Sequence, residues 1–206
     1  MRETILNKAA EMFLTLGFKS VTMDDIAAEL AISKKTIYQH FSNKEELVEG
    51  TTMFLFERIS TGIDNIRESC LNPVEEIFTI RNFMMQFLKD ETASPFHQLQ
   101  KFFPHIMSCL RKKQFEKMQG CMKENLERGM EQGYYKESIN TEFVSRIYFT
   151  GLTGTKDKDI FPGEMFNAVT LTELFLEYHL SAIVTEKGLE VLNKILDEDK
   201  IIFTEK

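Results

Sequence analysis

TMDDIAAELAISKKTIYQHFSNKEEL, residues 22–47, is the stretch whose reading decides the fold. Its second half sets Ser33, Lys34, Lys35, Thr36, Tyr38, His40 and Lys44 around an apolar skeleton of Ile32, Ile37, Phe41 and Leu47. A loose basic tail has no such skeleton. Ile37 and Phe41 stand four apart, the spacing of one buried helical stripe. Thr22 and Asp25 have the spacing of a capping box, with Asp in place of the usual Glu or Gln, and Ile26, Ala27 and Leu30 supply the buried stripe of a short helix behind them. That helix ends near Ala31. Ser33 can cap the next, and Ser42 with Glu45, or Asn43 with Glu46, can cap a longer one.

Ahead of this stretch, Ile5, Ala9, Met12, Phe13 and Leu16 fall on one helical face, and Gly17 is a natural stop. Short capped helices with a tight turn between the last two have the proportions of a helix-turn-helix unit. In that architecture one helix enters the major groove of DNA while flanking caps and lysines hold phosphates. With Ile37 and Phe41 turned inward, Lys34, Lys35, Thr36 and Gln39 are left able to reach base edges or phosphates. The free N–H groups at the starts of the second and fourth helices suit phosphate oxygens, and Thr22 and Lys44 stand there. Charge alone makes no such nomination. The chain of 206 residues has a formal net charge of −7, and residues 1–50 hold 6 Lys and Arg against 8 Asp and Glu. A local DNA-binding face survives that balance, because counterion release depends on how many cations meet phosphates.

Residues 22–47 strongly resemble the DNA-binding domain of TetR-type transcriptional regulators, whose pattern runs roughly T-x-x-x-I-A-x-x-A-G-V-S-x-x-x-L-Y-x-H-F-x-x-K-x-x-L. Ile26-Ala27, Ile32-Ser33, Ile37-Tyr38, His40-Phe41, Lys44 and Leu47 fall in register with it. The resemblance implies phosphate contacts at Thr22, Tyr38 and Lys44. It places Ser33, Lys34, Lys35, Thr36 and His40 on or beside the base-reading surface. Two positions depart from the pattern. Ala31 stands where the turn usually carries Gly, and a positive φ there would cost on the order of 1 kcal/mol relative to Gly. Lys35 replaces a common Gly or Pro and adds a cation.

Beyond residue 47 almost every segment keeps the helical period. The fourth helix runs through Phe54, Leu55 and Ile59 towards Cys70. Pro73 opens another with Val74, Ile77, Ile80, Met84, Phe87 and Leu88, and Lys89–Ser94 form a polar break. Pro95 restarts the chain through Phe96, Leu99, Phe102, Phe103, Ile106 and Leu110. A separate helix holds Phe115, Met118, Met122 and Leu126, stopping near Gly133-Tyr134-Tyr135. Segments 141–154 and 164–185 read as long apolar helices separated by a loop, and Gly188 sets off a short terminal helix. No stretch alternates with period two between hairpin turns. The expected fold is all-α, with about nine or ten helices: a helix-turn-helix domain over 1–47, then a ligand-binding and dimerisation domain over 48–206.

The larger part matches the resemblance only in length and helical character, with Gly129, Gly133 and Tyr134 in similar places. In that family the last two long helices of each subunit form a four-helix dimer interface, which here implies a homodimer through 141–154 and 164–185. Two-fold symmetry would then present two recognition helices to a pseudo-palindromic double-stranded DNA operator. Eighteen Phe and eleven Met are many for this length, and such side chains line adaptable apolar pockets as readily as they fill cores. Phe83, Phe87, Phe102, Phe103, Met107, Phe115, Met118 and Met122 are the candidates for a pocket lining a small apolar effector, and a packed core is the alternative role for each.

Other chemistry finds little support. His105 and Cys109 stand four apart with His97 eight residues before His105, but no second cysteine or carboxylate cluster completes a metal site. Asp157-x-Asp159 begins like a calcium loop and then puts Phe161 where an oxygen ligand is needed. No phosphate-binding glycine loop, GxSxG or HExxH occurs, so neither an enzyme nor a cofactor is expected. Three cysteines without CxxC spacing suit a reducing cytoplasm, although Cys109 and Cys121 could act as a redox pair. No apolar run is long enough to cross a bilayer, and the charged N-terminus is no signal segment. The expected function is a ligand-responsive DNA-binding regulator, most simply a homodimeric repressor released from its operator by the effector. The alternative is a DNA-binding adaptor whose helical body binds a protein partner and no small molecule.

Overall fold

A computed structural model describes residues 1–69, 72–87, 95–157 and 159–204, with side chains for all of these except 87, 95, 96 and 199–204. Among the described residues the chain forms ten helices and no strand. They are α1 (Arg2–Leu16), α2 (Met23–Glu29), α3 (Lys34–Tyr38), α4 (Lys44–Glu68), α5 (Pro73–Phe87), α6 (Pro95–Phe102), α7 (Pro104–Glu131), α8 (Thr141–Gly154), α9 (Ala168–Ile183) and α10 (Glu186–Thr204). Caps written in the sequence account for several of the starts. Thr22 closes a full capping box with Asp25, Ser33 accepts from the Thr36 N–H, and Asn140 accepts from the Phe143 N–H. At α4 the pair is Asn43 and Glu46: the Asn43 Oδ1 accepts from the Glu46 N–H at 2.9 Å, and the Ser42 N–H donates to Glu46 Oε2 at 2.7 Å.

These elements group into two compact units. The first comprises residues Met1–Asp64 and Met84–Gln114, the second Asn65–Phe83 and Phe115–Lys206. In the first, α1 contributes Ile5, Leu6, Ala9, Met12 and Phe13 to a core completed by Met23, Ile26, Ala27, Ile37, Phe41, Leu47 and Val48. Leu99 of α6 and Ile106 and Leu110 of α7 close the same core. Burial of each large apolar side chain here stabilises the unit by about 1.5–3 kcal/mol. The second unit buries Val74, Ile77 and Phe78 of α5 with Met122 and Leu126 of α7, Leu176 and Leu180 of α9 and Leu192 of α10. Gly151 of α8 lets the Phe175 ring of α9 come so close that a Cβ would overlap it.

Three boundaries differ from the sequence reading. Phe96–Leu110 is not one segment followed by another at Phe115: the break falls at Phe103-Pro104, and α7 then runs unbroken to Glu131. Proline takes the first helical position, where its missing N–H costs nothing, and it disfavours helix in the residue before it. Helix α9 begins at Ala168 and not at residue 164, because Asn167 caps it by accepting from the Val169 N–H at 2.8 Å. Phe166 instead packs edge-on to Phe161 in the preceding turn. Gly188 does not separate two helices. It lies in the first turn of α10, where a Cβ would overlap the Tyr134 carbonyl oxygen.

Candidate DNA-binding surface

Helices α2 and α3 meet through a turn at Leu30–Ser33. Ala31 takes a φ of 52°, the left-handed conformation that the usual Gly would adopt more easily. The Ala31 N–H donates to the Ala28 carbonyl and the Ile32 N–H to the Ala27 carbonyl, so the turn's backbone groups are satisfied. Ile37 and Phe41 are buried in the core of the first unit, which fixes the roll of α3. Ser33, Lys34, Lys35 and Gln39 are left exposed, Thr36 and His40 half-buried, and Tyr38 is 51% exposed despite its aromatic ring. Thr22 is exposed at the start of α2, and Lys44 is half-buried at the start of α4. All eight side chains that the sequence nominates for DNA stand in one unit, at the caps of α2 and α3, on α3, in the turn after it and at the first residue of α4.

The electrostatics of this surface hold a detail that the sequence pattern does not carry. The Lys34 ammonium pairs with the Asp24 carboxylate of α2, and that hydrogen bond raises the lysine's pKa. Lys44 behaves differently. Partial burial lowers its pKa, opposed by the charge of Asp25, and its Nζ donates to the Lys19 carbonyl oxygen at 3.2 Å. The Thr22 hydroxyl and N–H both donate to Asp25, at 2.7 and 2.8 Å, holding that carboxyl below its usual range. Glu46 is likewise lowered by the Ser42 hydroxyl.

The residues nominated for an effector pocket fall in both units. Phe102, Phe103 and Met107 belong to the first. Phe102 lies under the Lys19 and Lys101 ammonium groups, Phe103 meets Phe18 edge-on at 6.3 Å between centroids, and Phe103 and Met107 pack against the core. Phe83, Phe115, Met118 and Met122 belong to the second. Phe115 sits edge-on to Phe149 at 5.2 Å, Met122 is buried, and Phe83 and Met118 are half-buried. The side chain of Phe87 and residue Cys70 lie outside the described residues. Cys109 is exposed and Cys121 half-buried, and neither forms a disulfide. His105 lies 3.0 Å from the Glu45 carboxylate.

A buried histidine escaped the sequence reading, since nothing in the apolar pattern of α9 marks it. His179 stacks on Phe175 and meets the Tyr148 ring at a tilt, and its Nε2 has no hydrogen-bond partner among the described residues. Burial lowers its pKa from 6.5 to about 4. The unfolded chain therefore takes up this proton near 6.5 and the folded chain only near 4, so stability is lost as pH falls through that window. Each unit of pH within it costs up to about 1.4 kcal/mol. The urea midpoint should fall between about pH 6.5 and about pH 5, and His179→Phe should flatten that slope. Equal slopes in the two proteins would show that another group sets the acid limit.

Residues 5–51 match the family model described as bacterial regulatory proteins, tetR family. The HTH-type transcriptional repressor KstR2 of Mycobacterium tuberculosis is 26% identical over 197 residues, covering 90% of this chain and 94% of that protein. The crystal structure of a transcriptional regulator from Cytophaga hutchinsonii superposes with a TM-score of 0.72 at 17% identity, covering 89% of this chain and 98% of that one. SmeT, the repressor of the Stenotrophomonas maltophilia multidrug efflux pump SmeDEF, superposes at 0.67 with 18% identity, covering 90% and 91%. At those identities the two structures share the fold. The relative and both solved structures are named as transcriptional regulators or repressors, and the family match falls on the helix-turn-helix described above. The match to the tetR family model covers α1, α2, α3 and the start of α4. Among the described residues, no helix is long and apolar enough to cross a membrane.

Proposed function

We propose that the protein is a homodimeric repressor that binds a pseudo-palindromic operator in the cytoplasm and is released from it by a small apolar effector. In this reading residues 1–47 recognise DNA, and residues 48–206 bind the effector and dimerise. The observation that carries the DNA half is the rigid seating of α3: with Ile37 and Phe41 locked into the core, Lys34, Lys35, Thr36 and Tyr38 hold fixed positions on one outward surface. Ser33 and His40 flank that surface. Lys44, Tyr38 and Thr22 supply the phosphate contacts that fix its register, which carry no sequence information themselves. An acidic protein can bind DNA in this way because affinity depends on how many cations meet phosphates and not on the net charge of the chain.

The dimer half rests on apolar side chains left uncovered on neighbouring helices of the second unit. Phe143 and Ile147 of α8 are 62% and 43% exposed, and Leu174 and Tyr178 of α9 are 52% and 77% exposed. Both pairs stand four apart, so each forms a stripe on one face of its helix. A second copy of the chain presenting the same stripes would cover them with two-fold symmetry. The apolar effector is supported by the Phe- and Met-rich composition of the middle helices.

The DNA half is tested by footprinting on the DNA upstream of the protein's own gene, with binding titrated against salt. Protection of a two-fold site is expected. Lys44→Ala combined with Tyr38→Phe should weaken binding to all sequences alike and reduce the salt slope by about 1 to 2. Absence of any sequence preference at every salt concentration would overturn the reading.

A further inference from the structure

The side chain of Gln98, on α6, reaches the turn between α1 and α2 and meets it in two ways. Its amide occupies the space left by the missing Cβ of Gly17, whose φ of 88° suits glycine. Its Oε1 accepts a hydrogen bond from the Lys19 N–H at 3.2 Å. The other end of that residue's backbone is also held, because the Lys19 carbonyl oxygen accepts from Lys44 Nζ at 3.2 Å. A single residue of the turn therefore joins Gln98 to Lys44. Neighbouring contacts fix the arrangement. Leu99 is buried in the core of the first unit, and the Lys19 ammonium lies over the Phe102 ring, 5.3 Å from its centroid.

An ammonium carries three N–H donors. With one given to the Lys19 carbonyl, Lys44 keeps two for a phosphate oxygen, and its stem is aimed instead of sampling rotamers. We infer that Gln98 is a positioning residue for DNA binding, holding the Lys19 peptide so that Lys44 is preset to meet the phosphate backbone. The inference rests on the proposed role of Lys44. Gln98 itself makes no contact with DNA: it acts through one peptide unit, and it makes the phosphate contact at Lys44 answer to the placement of α6. Sequence offers no hint of this, since Gln98 lies 79 residues from Lys19.

A double-mutant cycle tests it in the full-length protein, with binding to a mixed-sequence DNA duplex at low salt as the readout. Gln98→Met keeps the length of the side chain and removes the accepting oxygen. Lys44→Ala alone should weaken binding about tenfold or more, as expected for one charge-assisted hydrogen bond. Gln98→Met alone should weaken it about two- to tenfold. Added to Lys44→Ala, Gln98→Met should cause no further loss. Gln98→Glu, which keeps an acceptor, should bind more tightly than Gln98→Met. If Lys44→Ala has no effect, the phosphate role of Lys44 fails and the inference goes with it. If Lys44→Ala weakens binding but the two losses multiply, or Gln98→Met binds as the parent protein does, Lys44 stands and the role of Gln98 is overturned. Tighter binding by Gln98→Met than by Gln98→Glu would show that Gln98 only fills space, and would equally overturn it.

Discussion

Glu76→Ala is expected to destabilise the protein by about 3 kcal/mol, read as a lower urea midpoint at an unchanged denaturant slope. Glu76 is only 1% exposed, yet it carries a charge in the core of the second unit. Its Oε1 accepts from the Asn125 amide at 2.9 Å, and its other oxygen pairs with the Arg128 guanidinium. Asn125 in turn donates to the Pro73 carbonyl at 2.9 Å and accepts from the Tyr135 hydroxyl at 3.0 Å. Burial raises the Tyr135 phenol's pKa, and the nearby Glu76 charge adds to the effect, so the phenol stays a donor. The cluster joins the start of α5 to the C-terminal turns of α7 and to the turn that follows it. Removing the carboxylate strands a guanidinium and costs Asn125 one of its acceptors. Loss of one partner from a buried pair typically costs about 3–5 kcal/mol, and Arg128 is partly solvated, which places the expectation at the lower end. Glu76→Gln keeps an acceptor for Asn125 and should cost less. An alanine variant within about 1 kcal/mol of the parent protein would mean that water replaces the carboxylate freely.

What the sequence made legible and what it hid divide along one physical line. Caps and stripes are local: Thr22 with Asp25, Ser33, and Ile37 with Phe41 announce themselves within four residues, and each sits where its spacing places it. Ala31 was equally readable, because a turn that wants glycine wants a positive φ whatever residue stands there. The helix starts at Pro104 and Asn167 were also written locally, but apolar residues on either side of Phe103-Pro104 and at Phe166 continued the helical period and masked them. Gly188 was misread for a different reason. A glycine looks like a breaker in sequence, whereas here it makes room for the Tyr134 carbonyl 54 positions earlier in the chain. The partners of Lys34, Lys44, Glu76 and His179 belong to the same hidden class. Each depends on which helices pack together, and no periodicity encodes that. The nominated DNA-facing residues were therefore legible as a surface, while the contacts that orient them, Asp24 to Lys34 and Lys19 to Lys44, were not.

Leu174→Arg combined with Tyr178→Glu is expected to convert a dimer into a folded monomer. Exposure separates the two effects. Leu174 and Tyr178 lie on the outer face of α9, while Leu176, His179, Leu180 and Ile183 face the core, so changing the outer pair should alter monomer stability by no more than about 0.5 kcal/mol each. A large apolar side chain at the centre of an interface commonly contributes about 2 kcal/mol or more to association. Two such losses, with charges newly placed against apolar surface, should weaken self-association at least a hundredfold, and roughly a thousandfold if the losses add. Sedimentation equilibrium gives the association state directly, and the urea midpoint of the variant serves as the check on folding. Operator affinity should fall with the dimer, because a monomer binds one half-site and loses the second set of phosphate contacts. Affinity for a single half-site should stay within about threefold of the parent protein, since both substituted positions belong to the second unit. That pairing of results assigns the loss to symmetry and not to damage at α3. A variant that remains dimeric at micromolar concentration would overturn the proposed interface. It would leave the apolar stripes of α8 and α9 to some other partner.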